Sequence, residues 1–213
     1  MNEHESASRT DIRNNVIAIA IKAFREEGIK SVTMDEIAHR LSISKRTLYQ
    51  LFEDKEELLL TCVSTVTREE MGRMEKLAAS TDNVLELLLR DFEVKLNEFK
   101  HISHLFYDEM TKYPRVSAFI ERQRTAYVQK AVDFLQRGVE QGLFLPGINF
   151  EIVYNIVSRQ LEYAAGHDFL RKYSPLELFL NYVFLYFRGC TTRKGAAMMD
   201  AFLQKYREET GQA

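Results

Sequence analysis

The sequence is poor in the residues that interrupt helices or cross-link chains, with only three prolines and two cysteines among 213 residues. No apolar run reaches the ~20 residues of a membrane span, and the polar N-terminal tract does not resemble an export signal. We therefore expect a protein of the reducing cytoplasm that makes no membrane contact. Cys62 and Cys190 fall in helical patterns and are expected to be packing residues, with a thiol sensor as the alternative.

Motifs for enzyme chemistry are also missing, because the chain offers no nucleophile-base arrangement, no glycine-rich phosphate loop and no metal motif. We expect no catalytic residue and no cofactor, and an all-helical enzyme is the least favoured alternative. His101, His104 and Asp108 share one helical face through spacings of three and four. No further His or Cys completes a shell around them, so we predict no metal site.

Apolar residues recur with a helical period along almost the entire chain, and no segment shows the alternation of a strand. The pattern predicts an all-α fold. It breaks at residues 80–83, 113–114, 142–149, 173–175 and 189–195.

Residues 31–59 are the most informative segment, because they predict two short helices separated by a tight turn. Thr33 is placed to cap the first helix, over residues 34–41. Ser42 occupies the turn, and Ser44 is placed to cap the second helix. Apolar residues at helical spacing predict the buried face of this pair. They are Met34, Ile37, Ala38, Leu41, Leu48, Leu51 and Phe52.

The outward face of the second helix is polar and basic. Lysine offers a point charge to phosphate, arginine forks onto guanine, and glutamine pairs with adenine. A plain solvated face is the alternative, but residues 39–46 carry three positive charges and no acid. We therefore predict a helix-turn-helix DNA reader with this helix as its recognition helix. The outward residues are Lys45, Arg46, Thr47, Tyr49 and Gln50.

A set of residues between Ile12 and Leu60 carries a family resemblance. The set is Ala20, Phe24, Gly28, Val32, Thr33, Met34, Ile37, Ala38, Ile43, Ser44, Lys45, Thr47, Leu48, Tyr49, Phe52, Lys55, Leu58 and Leu59. It resembles the DNA-binding domain of the tetracycline-repressor-like (TetR) family of bacterial regulators. The resemblance implies a DNA-binding set that includes the capping residue Ser44. Within it, phosphate contacts are implied for Thr33, Thr47, Tyr49 and Lys55, and base-edge contacts for Lys45, Arg46 and Gln50.

Two residues depart from the pattern of this family. Ser42 stands where the family commonly has glycine, so either the turn differs or the domain accepts about 1 kcal/mol of backbone strain. Arg46 replaces a residue that is often small, so base preference does not transfer from relatives.

The charge balance of the first 55 residues limits nonspecific DNA binding, because they carry nine Lys or Arg against nine Asp or Glu. Specific binding by a dimer suits this balance better than bulk electrostatic binding.

Large aromatic side chains are dense between residues 91 and 173, and most of them must be core. Helical bundles also bind ligands between their helices, and tyrosine hydroxyls beside apolar rings suit a mainly apolar pocket. The resemblance implies such a pocket in the second domain. The candidate effector-binding residues are Phe106, Tyr107, Tyr127, Tyr163 and His167.

Two late helices, over residues 150–170 and 175–189, carry more apolar surface than one face requires. Their extra surface must be buried by the same chain or by a partner. The resemblance favours a second copy, in a four-helix bundle across a two-fold axis. The candidate interface residues are Ile156, Leu161, Phe179, Val183, Phe184 and Phe187.

These features together predict a homodimeric transcription regulator. Its domains would be a helix-turn-helix domain over residues 1–55, with residues 1–10 as a flexible tail, and an effector-binding and dimerisation domain over residues 56–213. Its partners would be double-stranded operator DNA, a second copy, and a small, mainly apolar effector that releases a repressor from DNA. The alternative is a regulator controlled by a protein partner without a small-molecule effector.

Overall fold

The computed structural model describes residues 3–99, 101–166, 172–173 and 175–210. This part of the chain is helical apart from its connections and one isolated antiparallel bridge between Phe144 and Thr191. The predicted all-α class is confirmed. The elements are α1 (Glu3–Glu27), α2 (Met34–Arg40), α3 (Lys45–Leu51), α4 (Lys55–Ala78), α5 (Val84–Phe99), α6 (His104–Met110), α7 (Pro114–Glu140), α8 (Phe150–Gly166), α9 (Pro175–Leu178), a π-helical stretch (Phe179–Phe184), α10 (Leu185–Cys190) and α11 (Arg193–Thr210).

The chain divides into two compact units. The N-terminal unit contains the residues up to Met71 together with His101–Arg122, and the C-terminal unit contains Gly72–Lys100, Gln123–Ala164 and most later residues. Residues 56–71 and α6 thus pack with the helix-turn-helix, whereas the sequence-based division placed them in the second domain. The functional boundary at residue 55 stays a prediction, since packing alone does not test it.

The core of the N-terminal unit joins α1 to the two helices of the helix-turn-helix. Its apolar side chains lose nearly all contact with water, which is the main favourable contribution to folding. The fully buried large residues include Phe24, Ile29, Ile37, Leu48, Phe52, Leu58 and Leu59. Residues of α6 and α7, among them Phe106, Met110 and Ile120, pack against this cluster. The core positions predicted within α2 and α3 are confirmed.

Hydroxyl side chains cap α2 and α3 as the sequence predicts. The Thr33 hydroxyl accepts a hydrogen bond from the Glu36 amide at 3.2 Å, and Ser44 accepts one from the Thr47 amide at 3.0 Å. Each cap satisfies an amide that has no partner inside its own helix. The boundaries of α2 and α3 therefore lie where local side-chain chemistry places them.

The turn between α2 and α3 has a left-handed residue at Ser42, whose φ is +53°. The Ser42 amide bonds to the carbonyl of His39, and the Ile43 amide bonds to that of Ala38, both at 3.0 Å. Of the two alternatives raised by the missing glycine, the structure has the strained one. A Cβ atom at this φ costs about 1 to 2 kcal/mol, so serine keeps the turn at some expense of stability.

Gly28 ends α1 with a φ of +87° and lets α6 approach closely. A Cβ atom here would lie 2.9 Å from Leu105 Cβ. Beside it the Ser103 amide donates to the Arg25 carbonyl at 2.7 Å, and the Lys30 amide donates to the Glu109 carboxylate at 2.5 Å. Helix α6 is therefore held at the C-terminal end of α1 by one backbone hydrogen bond, one amide-to-carboxylate hydrogen bond and a glycine contact.

The C-terminal unit has its own apolar core, to which α11 contributes Met199 and Tyr206. Phe144 lies at its centre and meets Phe150 and Phe187 edge-on, at centroid separations of 5.8 and 6.5 Å. Other buried members are Val84, Leu85, Leu89, Leu96, Leu135, Leu143, Val183, Phe184 and Cys190.

The late helix predicted over residues 175–189 contains a π-helical stretch, Phe179–Phe184. A π turn takes in one more residue than an α turn, so it changes which side chains of the following helix face the core. At the other end of the chain, residues 3–10 continue α1 where a flexible tail was expected. No helix in the described ranges is both long and apolar enough to cross a bilayer.

We predict that Ser42→Gly raises the free energy of unfolding by up to about 1 kcal/mol, because glycine adopts a positive φ without steric cost. Chemical denaturation followed by circular dichroism measures the change. Ser42→Ala is the matched control, since alanine keeps the Cβ atom and should gain nothing. A glycine variant no more stable than the alanine variant would show that Ser42 holds no strain.

Candidate nucleic-acid interface

The outward face of α3 is polar and open to solvent. Arg46 and Gln50 are exposed, and the Tyr49 side chain is 50% exposed, while Leu48 between them is completely buried. This division follows from the helical period, because Leu48 packs into the core and its neighbours turn away from it. The structure therefore presents one continuous polar surface along the predicted recognition helix.

Hydroxyl groups gather at the N-terminal end of α3. The Ser44 and Thr47 hydroxyl oxygens lie 2.8 Å apart, and Ser44 also caps the helix. Thr33 caps α2 in the same way. Capping uses a lone pair of the oxygen and leaves the hydroxyl hydrogen of Thr33 as a donor, which is the group that a phosphate oxygen accepts.

The basic residues near this face differ in whether an acid neutralises them. Lys45 forms an ion pair with Asp35 of α2. Arg40 bonds to Glu27 at 2.6 Å and to Glu36 at 2.5 Å, and the ion pair with Arg40 lowers the pKa of Glu27. Arg46 is exposed and makes no hydrogen bond or ion pair within the described part of the chain. The three positive charges counted between residues 39 and 46 are therefore not equally available.

Lys55 is half-buried, although the resemblance implies a phosphate contact for it. Its ammonium group lies 3.5 Å from the Lys30 carbonyl and 5.9 Å from the centroid of the Phe24 ring. Burial lowers the pKa of this lysine, and the nearby carboxylates of Glu109 and Glu36 partly oppose that shift. The structure gives Lys55 a packing position, and its phosphate contact stays a prediction.

Two arginines of α1 contact the C-terminal end of α3, and no motif in the sequence marks them as part of the helix-turn-helix. Arg9 donates to the Gln50 carbonyl at 3.0 Å, and the Arg13 guanidinium lies 5.0 Å from the centroid of the Phe52 ring. A cation beside the last carbonyls of a helix is favourable. The sequence signal was their spacing of four, which places both side chains on one face of α1.

The candidate effector residues do not fall in one unit. Phe106 and Tyr107 lie in the N-terminal unit, with ring centroids 5.4 Å apart, whereas Tyr127 and Tyr163 lie in the C-terminal unit. Tyr163 is half-exposed on α8. His167 lies outside the described residues.

Within the C-terminal unit, the Tyr182 hydroxyl is the polar group that most needs explanation. It is buried and makes no hydrogen bond with any described residue, and its ring lies 5.1 Å from that of Tyr186. Burial is the main cause of the raised pKa of Tyr182. A buried hydroxyl without a partner costs about 1 to 3 kcal/mol, so such a group indicates a missing acceptor or donor.

The candidate dimer residues are divided between the core and the surface. Val183 and Phe184 are only 6% and 4% exposed, and Phe187 packs edge-on against Phe92, so these side chains belong to the core of their own protomer. Ile156 is exposed. The side chains of Leu161 and Phe179 lie outside the described part of the chain.

A different set of apolar side chains is exposed on the late helices. Ile152 is 55% exposed on α8, and it is followed by Ile156 four residues later and by Tyr163 another seven residues later. Leu185 is 56% exposed on α10, with Tyr186 beside it. The helical spacing of these residues on α8 is visible in the sequence. The exposure of Leu185 and Tyr186 on α10 is not, because the preceding π-helical stretch changes the helical phase. We call Ile152, Ile156, Tyr163, Leu185 and Tyr186 the exposed apolar face.

The surroundings of the two cysteines do not favour thiol sensing, and those of the candidate metal residues do not favour metal binding. Burial raises the pKa of the Cys62 thiol to about 12, and it also raises the pKa of Cys190. A thiol with such a pKa is almost entirely protonated at neutral pH, which favours packing over sensing. Asp108 accepts a bond from Lys112 at 3.0 Å. Among the described residues, no three His, Cys, Asp or Glu side chains are grouped to hold a metal ion.

Comparison with known proteins identifies relatives of this architecture. Residues 16–62 match the family model described as bacterial regulatory proteins, tetR family. The HTH-type transcriptional repressor KstR2 of Mycobacterium tuberculosis is 27% identical over 151 residues, which cover 68% of this chain and 75% of the relative. The solved structure of that ketosteroid transcriptional regulator has a TM-score of 0.58 and 24% identity, covering 85% of this chain and 95% of that one.

Two further solved structures share the fold at lower identity. A TetR-family regulator from Agrobacterium tumefaciens has a TM-score of 0.70 and 16% identity, and the match covers 86% of this chain and all of that one. A gamma-butyrolactone receptor described as ArpA-like has a TM-score of 0.67 and 18% identity, covering 95% of this chain and 99% of that one. The similarity therefore extends well beyond the helix-turn-helix.

Proposed function

Since the chain belongs to the TetR family of bacterial regulatory proteins, we propose that it is a homodimeric repressor, released from its operator by a small, mainly apolar effector. The observation that carries the DNA-binding part is the exposed polar face of α3, held outward by the burial of Leu48 and Phe52. A dimer with two such helices would bind a near-palindromic operator, with one recognition helix in each of two successive major grooves.

Different side chains of the face have different roles in this proposal. Arg46, exposed and unpaired within the described chain, reads a guanine through two hydrogen bonds, and Gln50 pairs with an adenine. Tyr49 and the hydroxyls of Thr33 and Thr47 bind phosphates and set the register. Arg9 keeps donors free after its bond to the Gln50 carbonyl, which places a further phosphate contact beside the end of α3.

The exposed apolar face is the surface we assign to the dimer. Its residues on α8 and α10 are large and apolar, yet half or more of several side chains remains in water in a single protomer. Burial of such surface contributes roughly 25 cal/mol per Å², so association with a second copy would be strongly favourable. Val183 and Phe184 support this surface from the core and do not form it.

In this proposal the effector binds in the C-terminal unit, near the Tyr182 hydroxyl. Relatives of the same fold are described as a ketosteroid regulator and a gamma-butyrolactone receptor, both named for compact and largely apolar molecules. A ligand of that class carries few oxygen atoms, and one of them would satisfy the hydroxyl that otherwise has no partner. The apolar rings around it would bury the rest.

Release from DNA follows if the effector prefers a conformation in which the recognition helices no longer fit the operator. Helices α4 and α7 contribute residues to both units, and α6 is bonded to the end of α1 beside the helix-turn-helix. The shift in DNA affinity is limited by the difference in effector affinity between the two conformations. Operator DNA must weaken effector binding by the same factor.

We predict that the purified protein selects a near-palindromic sequence from random double-stranded DNA. Arg46→Ala should then lose about 1 to 3 kcal/mol and relax preference at one base pair in each half-site. Tyr49→Phe should weaken binding to all sequences alike, since it removes a phosphate contact. Fluorescence anisotropy on the selected site and its single-base variants measures both effects.

Lys22→Ala is the matched control for these variants. Lys22 is an exposed residue of α1 that makes no hydrogen bond or ion pair with α3 in the described part of the chain, and its replacement removes the same charge as Arg46→Ala. The control should leave base preference unchanged. Selection of no sequence by the parent would contradict the DNA-binding proposal, and an Arg46→Ala profile equal to that of Lys22→Ala would contradict the base contact.

We predict that Leu185→Glu or Ile152→Glu converts the dimer to a monomer, because each places a charge in the exposed apolar face. Light scattering gives the mass. Loss of the second recognition helix should weaken operator binding by on the order of 100-fold or more.

Leu145→Glu is the control for the dimer test, because Leu145 is an exposed leucine that lies outside the exposed apolar face. It should remain dimeric. Val183→Glu should instead unfold the protein, since Val183 is buried in the protomer. A folded Leu185→Glu variant that keeps the mass and operator affinity of the parent would require a different interface.

We predict that Tyr182→Phe weakens effector binding about tenfold while slightly raising thermal stability, because it removes one hydrogen bond to the ligand and one unsatisfied hydroxyl from the free protein. A thermal-shift screen of sterols, lactones and fatty acids identifies the ligand. Titration with and without operator then measures the coupling, expected at about 1 to 3 kcal/mol. Equal affinities in both titrations, or no hit with a dimer that binds DNA, would favour control by a protein partner.

A further inference from the structure

Asp35 and Lys45 form an ion pair that joins the two helices of the helix-turn-helix. Asp35 lies in the first turn of α2, and Lys45 is the first residue of α3. The turn at Ser42 brings these residues together although ten positions separate them. Both side chains remain more than half exposed, so the pair lies at the solvent boundary of the proposed DNA-binding face.

The pair neutralises a lysine that would otherwise bind phosphates without regard to sequence. A lysine ammonium is a mobile point charge, and nonspecific DNA affinity arises from such charges. The carboxylate of Asp35 engages Lys45 and adds its own repulsion toward the DNA backbone. Arg40 is neutralised in the same way by Glu27 and Glu36, which leaves Arg46 as the unpaired cation among residues 35–50.

We propose that Asp35 is a specificity-determining residue, whose carboxylate holds Lys45 away from phosphates on nonspecific DNA. This inference rests on the proposed DNA-binding function. On the operator, Lys45 leaves the pair for its place at the base edges, because correctly matched contacts of the whole face bring it there. An exposed ion pair is weak, so opening the Asp35–Lys45 pair when the operator binds costs little affinity. Asp35 therefore lowers the affinity for nonspecific DNA more than it lowers the affinity for the operator.

The stability of the helix-turn-helix does not depend on this pair. Leu48, Ile37 and Phe52 hold the two helices together through the core, and the caps at Thr33 and Ser44 begin them. An exposed pair adds little to such a unit. A structural role and a specificity role therefore predict different outcomes, since only the second changes the salt dependence of DNA binding.

The test is Asp35→Asn in the full-length protein, measured on the selected operator and on a random duplex of equal length. Freeing one lysine per protomer should steepen the slope of log affinity against log salt on the random duplex by about 0.9 per recognition helix. Random-duplex affinity at 0.1 M salt should rise about tenfold for each recognition helix that contacts the duplex, by the same counterion release. Operator affinity should rise at most about fivefold, so the ratio of the two affinities falls.

Two controls separate this effect from a change in net charge. Glu26→Gln removes one negative charge at an exposed site of α1 that makes no ion pair with a described residue, and it should leave the slope unchanged. The double variant Asp35→Asn with Lys45→Gln should return the slope of the random duplex to the parent value. Both results support the assignment, together with unchanged thermal stability in Asp35→Asn.

The inference and the proposed function fail in different ways. A parent protein that selects no operator from random DNA overturns the function and the inference together. A parent that binds its operator, with an Asp35→Asn variant whose slope and affinity ratio match those of Glu26→Gln, overturns the role of Asp35 alone. An Asp35→Asn variant that loses operator affinity would also overturn it, because that result would place the carboxylate among the attractive contacts.

Discussion

Burial of Leu48 and Phe52 in the core of the N-terminal unit determines which side of α3 faces solvent, and the proposed function depends on that orientation. Rotation of α3 by one residue, about 100°, would carry Leu48 out of the core and Tyr49 or Thr47 into it. The apolar contacts thus oppose any such rotation. The left-handed turn at Ser42 is the backbone cost of bringing α3 to this position.

The parts of this unit that the sequence predicts are those governed by neighbours in the chain. The caps at Thr33 and Ser44 act over three residues, and the buried positions of α2 and α3 follow the helical period. Apart from the Arg40–Glu36 pair, whose spacing of four is local to α2, the charge pairing follows from tertiary structure instead. Lys45 meets Asp35 across the turn, and Arg9 reaches the Gln50 carbonyl across 41 residues. No local pattern shows which cations remain unpaired.

In the late helices, too, the sequence predicts the general character of the surface but not which residues form it. Their composition predicts more apolar surface than one core requires, and the exposed apolar face agrees with that expectation. Assignment of individual residues needed the helical phase, which the π-helical stretch at Phe179–Phe184 changes. Val183 and Phe184 consequently turn inward, while Leu185 and Tyr186 remain outside. The aromatic candidates for the effector belong to separate units, which their density in the sequence does not reveal, and their role stays a prediction.

Pairing of cations with acids reduces the free positive charge of the proposed DNA-binding face. Arg40 and Lys45 are both engaged by carboxylates, and Lys55 is half-buried against α1, so few free cations remain for phosphate. Affinity for DNA of arbitrary sequence should therefore be low, because it depends on the number of phosphates neutralised. In the proposed dimer, tight binding would then require that both recognition helices make their base contacts together. A displacement of either helix would weaken operator binding, which is the response that the proposed effector control requires.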